Sequence, residues 1–250
     1  MITFGRLGQY GQIGNQMFQI AGTIGIATKY GHRYAFPKWL NHDGIAKGNM
    51  NAEEAYVGGW FARPLPLASD ADISRCQHVE VPWGYHERFN PSSNSNLIGH
   101  MQSEKWFKHC EATIREVFEW EQSPPIVDAV AIHVRRGDYD GKYHNFLAEQ
   151  YYHRAMEIMR ERGHSRFVVF SDNTAEAERI TGARAIECND PMMALRMMSG
   201  YAGHIIANSS FSWWAAWLAN STDVIAPSQW VGHIARLDTS DIVPDRWTKL

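Results

Sequence analysis

Two arginines, a glycine and an aspartate, Arg135-Arg-Gly-Asp138, follow directly on the apolar run Val130-Ala-Ile-His-Val134. Planar guanidinium forks donate parallel pairs of hydrogen bonds, so this pairing suits a dianionic phosphate. Taken alone, the segment fits equally well a surface Arg-Asp pair that closes a strand-to-helix turn. Three more short polar stretches follow apolar runs: Ser171-Asp-Asn173, Asn189-Asp190 and Asn208-Ser-Ser210. Each by itself is ordinary helix capping. Together, arginines, hydroxyl donors at a helix start and a carboxylate are the groups needed to hold a nucleotide diphosphate. Near the N-terminus, Gly8-Gln-Tyr-Gly-Gln-Ile-Gly-Asn-Gln16 precedes the apolar run Met17–Ala27. Backbone N–H groups there could meet a polar ligand, although the spacing fits neither the dinucleotide fingerprint nor a Walker loop.

The elements that must position these groups differ between the two halves. After Pro125 the pattern predicts regular strand–helix alternation: strands over 126–134, 166–170, 184–187, 204–207 and 223–226, with helices near 146–162, 175–180, from Pro191, and over 213–219. Short alternating elements imply a parallel sheet with its polar loops beyond one edge, where ligands bind in open α/β sheets. Asp190 is expected to cap a helix opened by Pro191, whose methionines read as adaptable core. Before Pro125 the pattern predicts strands near 2–7, 32–36 and 97–102 and a continuous helix over 103–118 capped by Ser103. Between residues 41 and 96, glycines, prolines and polar clusters break the pattern. Gln122-Ser-Pro-Pro125 marks the expected boundary between an N-terminal lobe, 1–122, and a C-terminal lobe, 123–250, whose last residues could pack back on the first.

The chain of 250 residues carries a formal net charge of −3 and has no lysine/arginine block longer than two, which argues against nucleic acid as a partner. Its apolar stretches are strand-sized, so no transmembrane segment is expected, and no signal peptide is apparent. Three separated cysteines, Cys76, Cys110 and Cys188, read as reduced thiols. The expectation is a cytoplasmic chain, at most peripheral to the inner face of a membrane.

Four segments carry a family resemblance. Gly11-Gln-Ile-Gly-Asn-Gln-Met-Phe-Gln19, Gln102-Ser-Glu-Lys-Trp-Phe107, His133-Val-Arg-Arg-Gly-Asp-Tyr139 and Ile206-Ala-Asn-Ser-Ser-Phe-Ser-Trp-Trp-Ala-Ala-Trp-Leu218 resemble motifs of the α-1,2-fucosyltransferases, an inverting family that uses GDP-fucose. The resemblance runs nearly end to end and is weakest over 40–96. It implies an α/β, GT-B-like fold of two Rossmann-like lobes, with the donor held mainly by the C-terminal lobe and the acceptor side on the N-terminal one. It further implies no metal and no cofactor beyond GDP-fucose as donor substrate, and a glycan acceptor with a terminal galactose that is fucosylated at its 2-hydroxyl. Carried over by position, Arg135 binds the diphosphate with Arg136 beside it, while His133 and Asp138 shape the loop. Ser209, Ser210 and Phe211 touch phosphate and base, with Ser171 and Asn208 in the same donor set. Asp172 sits where a guanine or ribose contact is expected, and Asn15 faces the fucose. Arg135, Asp138 and Asn15 are the catalytic candidates. Gln12 departs from the family's usual glycine, which puts the acceptor rather than the donor class in question.

Inversion requires the acceptor hydroxyl to lose a proton, and Asp138, Asp140 and His144 are the candidate bases. Asp138-Tyr-Asp140 and Asp70-Ala-Asp72 also spell the Asp-X-Asp pattern of metal-dependent glycosyltransferases, a competing reading. A non-catalytic nucleotide-sugar-binding protein is the other alternative. The Arg136-Gly-Asp138 tripeptide and the two glycosylation sequons at Asn208 and Asn220 carry no weight in this reading.

Overall fold

The structure, a computed structural model, describes residues 1–37, 61–137, 145–232, 235 and 237–250. They form two compact units, the first comprising Met1–Gln122 with Ser240–Ile242 and the second Ser123–Thr239 with Val243–Leu250.

The second unit is built on β6 (Val127–Val134). From Ala129 onward every residue of this strand is buried, as its near-continuous run of apolar residues demands when both faces of a parallel sheet are covered. β7 (Phe167–Ser171) and β9 (Tyr201–Ile205) flank it in parallel register, with Ile132 opposite both Val169 and Ile205. The sheet continues through β8 (Arg184–Ala185) on one side and β10 (Asp223–Ala226) and β11 (Thr248–Lys249) on the other, in the order β11-β10-β9-β6-β7-β8. Counted within the unit, the strands run 3-2-1-4-5-6, the order of a doubly wound dinucleotide-binding sheet. Helix α4 (Glu149–Glu161) buries Tyr152, Ala155, Met156 and Met159 in the core formed by Val130, Ile132, Val134, Val169, Ile205 and Ile225. The remaining helices are α5 (Thr174–Thr181), α6 (Pro191–Met198) and α7 (Ser210–Leu218). Asp190 caps α6 by accepting from the Met192 and Met193 N–H groups at 2.8 and 3.1 Å, with Pro191 in the first turn. α7 is anchored by Trp213, Trp214 and Trp217, all buried, with Trp247 packed on Trp213 at 5.3 Å between ring centroids.

In the first unit, β1 (Ile2–Thr3), β4 (Gln77–Glu80) and β5 (Ser95–Ile98) form a parallel sheet in the order β1-β5-β4. β2 (Phe36–Pro37) and β3 (Leu67–Ala68) pair in parallel, and Tyr34 bridges to Ile2. Helix α1 (Ile13–Lys29) is buried over most of its length.

Several expectations are corrected here. The strands predicted over 2–7, 32–36, 97–102 and 204–207 are shorter or displaced, at Ile2–Thr3, Phe36–Pro37, Ser95–Ile98 and Tyr201–Ile205. The irregular 41–96 stretch holds β3, β4 and a short helix α2 (Asp70–Ser74) in its described part. The continuous helix over 103–118 is absent. In its place stand 3-10 turns at Glu104–Trp106 and Lys108–Cys110 and a helix α3 over Glu111–Val117. Ser103 does cap, but it caps the first 3-10 turn. The cause is tertiary: Gly25 of α1 lies so close that a Cβ there would meet the Trp106 carbonyl at 2.2 Å, and packing at that distance overrides the helical spacing of the side chains.

Candidate functional site

The sheet of the second unit reverses its winding between β6 and β9, and a crevice beyond the carboxyl ends of those two strands is where ligands bind in such sheets. The turn after β6 carries Arg135-Arg-Gly137. The segment after β9 carries Asn208-Ser-Ser210 and opens α7. The Phe211 ring lies 5.5 Å from that of His133, so the start of α7 meets the end of β6.

Arg135 donates from Nη1 to Asp172 Oδ2 at 2.9 Å, with its side chain 19% exposed. Asp172 also accepts from the Arg136 N–H at 2.9 Å and the Gly137 N–H at 2.8 Å. Gly137 has to be small, because a Cβ there would sit 2.7 Å from Asp172 Oδ2. The two neighbouring arginines part company: both Nη atoms of Arg136 donate to the Leu147 carbonyl at 3.3 Å, and its guanidinium stacks over Phe146. Asp138, Asp140 and His144 lie outside the described residues.

His133 is buried beneath this turn. Burial, followed by the nearby Arg135 charge, pushes its pKa down to about 3 against a smaller opposing pull from Asp172, so the ring is neutral near pH 7. Ser171 accepts from the Asn173 N–H at 3.0 Å, and Asn173 caps α5. Asn208 is buried and donates to the Asn145 and Trp230 carbonyls, both at 3.1 Å, which fixes the loop before α7. Tyr151 donates to the Ile206 carbonyl at 2.7 Å and steadies the same edge. Ser209, Ser210 and Phe211 are half-buried at the helix start. The Ser209 side chain caps no N–H of α7. The first-turn N–H groups of a helix have no intrahelical partners, and with the positive end of the dipole they form a site for an anion.

Asn15 belongs to the first unit. Its Oδ1 accepts from Gln102 Nε2 at 2.6 Å, which joins two of the sequence motifs. Gln16 and Gln19 fold back on the preceding loop and donate to the carbonyls of Gly11 and Tyr10. Gly11 has φ 76°, a conformation that glycine adopts without strain. The structuring roles of Gln16, Gln19 and Gln102 were not read from the sequence; only their membership of motifs marked them. Asp70 and Asp72 lie in the first turn of α2, where Asp72 bonds Ser69 and Arg75. Among the described residues, no three His, Cys, Asp or Glu side chains are grouped to hold a metal ion, and no helix is long and apolar enough to cross a membrane.

Comparison with known proteins bears on the family and the fold. The family model described as Glycosyl transferase family 11 matches residues 87–249. An alpha-1,2-colitosyltransferase of Escherichia coli is 27% identical over 280 aligned positions, spanning 96% of this chain and 96% of its own. The O-antigen biosynthesis glycosyltransferase WbnK of Escherichia coli is 31% identical over 138 positions, 49% of this chain and 45% of its own. A solved apo structure of POFUT1 matches at a TM-score of 0.50 and 13% identity, over 90% of this chain and 97% of the other. That last likeness is one of fold.

Proposed function

This chain belongs to glycosyl transferase family 11 and has the α/β, GT-B-like fold, and we propose that it moves L-fucose, or a closely related deoxyhexose, from its GDP-sugar to the 2-hydroxyl of a galactoside with inversion. The observation that carries this reading is that the end of β6, which leads into Arg135, meets the start of α7, where Ser209 caps no N–H, at the switch point between β6 and β9. The α-1,2 linkage draws support from the colitosyltransferase relative. Colitose differs from fucose in lacking one ring hydroxyl, so both donors belong in the test.

Breaking the sugar–phosphate bond passes through an oxocarbenium-like transition state while negative charge grows on the departing diphosphate. Fixed donors aimed at that charge lower the barrier more than they tighten ground-state binding. Arg135 supplies a guanidinium, and the N–H groups and hydroxyls of Ser209 and Ser210 supply further donors. Asn15, oriented by Gln102, is the proposed contact to the transferred sugar. Acceptor deprotonation falls to Asp138, Asp140 or His144 in this scheme.

The protein is to be incubated with GDP-fucose or GDP-colitose and lactose, GDP release followed, and the product linkage assigned by NMR. Acceptor-dependent GDP release with an α-linked sugar on O2 of galactose is expected; no GDP from either donor, or a linkage elsewhere, overturns the reading. Because protein donors carry the leaving-group charge in this scheme, transfer is expected to proceed undiminished in EDTA.

A further inference from the structure

We propose that Asp172 is a positioning residue for the transfer reaction, which shapes the Arg135–Gly137 turn and aims the Arg135 guanidinium without touching the nucleotide. The inference rests on the donor reading given above. Its basis is how the carboxylate is used. Oδ1 receives the Arg136 N–H at 2.9 Å, and Oδ2 receives both the Gly137 N–H at 2.8 Å and Arg135 Nη1 at 2.9 Å. A carboxylate offers about four lone-pair sites, and three are taken by a single turn of chain. Recognition of guanine by a carboxylate uses both oxygens at once, and here both are committed. The turn's two N–H groups point to Asp172, so they form no phosphate cradle. Anion binding at this edge therefore falls to the Arg135 side chain and the start of α7.

Gly137 supplies a second, independent handle. It lies so near the carboxylate that a methyl group would sit 2.7 Å from Oδ2. Gly137→Ala is therefore expected to displace the Asp172 side chain, and to have no such effect once that side chain is cut back to Cβ in Asp172→Ala. A displacement of the guanidinium of about 1 Å is enough to cost on the order of 10²-fold in turnover.

The test compares wild type with Asp172→Asn, Asp172→Ala, Gly137→Ala, Arg135→Ala and the double variants that combine Asp172→Ala with each of the last two. For each protein, kcat, GDP and ADP affinity, thermal midpoint and amide exchange at residues 136 and 137 are measured. The expected result is a kcat lowered about 10²-fold in Asp172→Ala, partly restored in Asp172→Asn, with preference for GDP over ADP kept. Amide protection at 136 and 137 is lost while the thermal midpoint stays within a few degrees. Adding Asp172→Ala to Arg135→Ala, or Gly137→Ala to Asp172→Ala, costs no more than about twofold further, since groups acting through one another are not additive. Multiplicative losses, or a collapse of the GDP preference, overturn the positioning role. A wild type that binds no GDP overturns the donor reading itself and the aim assigned to Arg135; additive losses with GDP binding intact sink the positioning role alone.

Discussion

Arg135 and Arg136 are neighbours with separate tasks, since Arg136 is spent on the Leu147 carbonyl and the Phe146 ring. In the proposed transfer, charge stabilisation is assigned to Arg135, and Arg135→Ala is expected to lower transfer by roughly 10²–10³-fold, the scale of one lost preorganised donor. Steady-state kinetics of GDP release check this, and near-normal turnover would contradict the assignment. Two buried imidazoles give the protein a pH response unrelated to chemistry. Burial holds His133 down to about 3 and His204 down to about 4, against an ordinary value of 6.5. Below about 6.5 the unfolded chain takes up protons that these folded rings refuse, so their contribution to stability is complete above that pH and drains away as pH falls toward 4 and then 3. Urea midpoints should drop between pH 7 and pH 5, and His204→Gln should flatten that drop. A wild-type midpoint unchanged over this range would refute the linkage.

The helices and strands show which features a sequence makes visible. The Asp190 cap and the Pro191 helix start were legible because their chemistry is local, and Asp190→Ala is expected to cost about 1 kcal/mol, read as a lowered urea midpoint. β6 was legible because six consecutive buried residues cannot be written without an apolar run. Residues 103–118 depart from their sequence pattern for the opposite reason. Trp106, Phe107, Cys110 and Ile114 are buried at spacings that fit a helix, yet close packing on α1 turns the first half into 3-10 geometry. Within the candidate site, the Arg135 turn announced itself through residue types. The hold of Asp172 on it did not, because the bonds span some 35 residues and two of the three donors are backbone N–H groups that every residue but proline owns.

For the molecule as a whole, the cysteines report how unevenly the interior is sealed. Cys76 and Cys110 are buried, and burial raises both thiols above their ordinary value, while Cys188 is half-exposed. Iodoacetamide under native conditions should label Cys188 first and reach the other two only on unfolding, as peptide mass mapping will show; rapid native labelling of Cys110 would contradict this burial. The strand order has a different consequence, for synthesis on the ribosome. β6 pairs with β7 soon after both emerge, but its other neighbour, β9, begins only at Tyr201. At about 5–20 residues per second, the nascent chain carries β6 with one naked flank for roughly 3–13 s. An unpaired, largely apolar strand is a template for the wrong partner. Ribosome pausing ahead of residue 201 should therefore lower the soluble yield, whereas a pause imposed once β9 has cleared the exit tunnel should not.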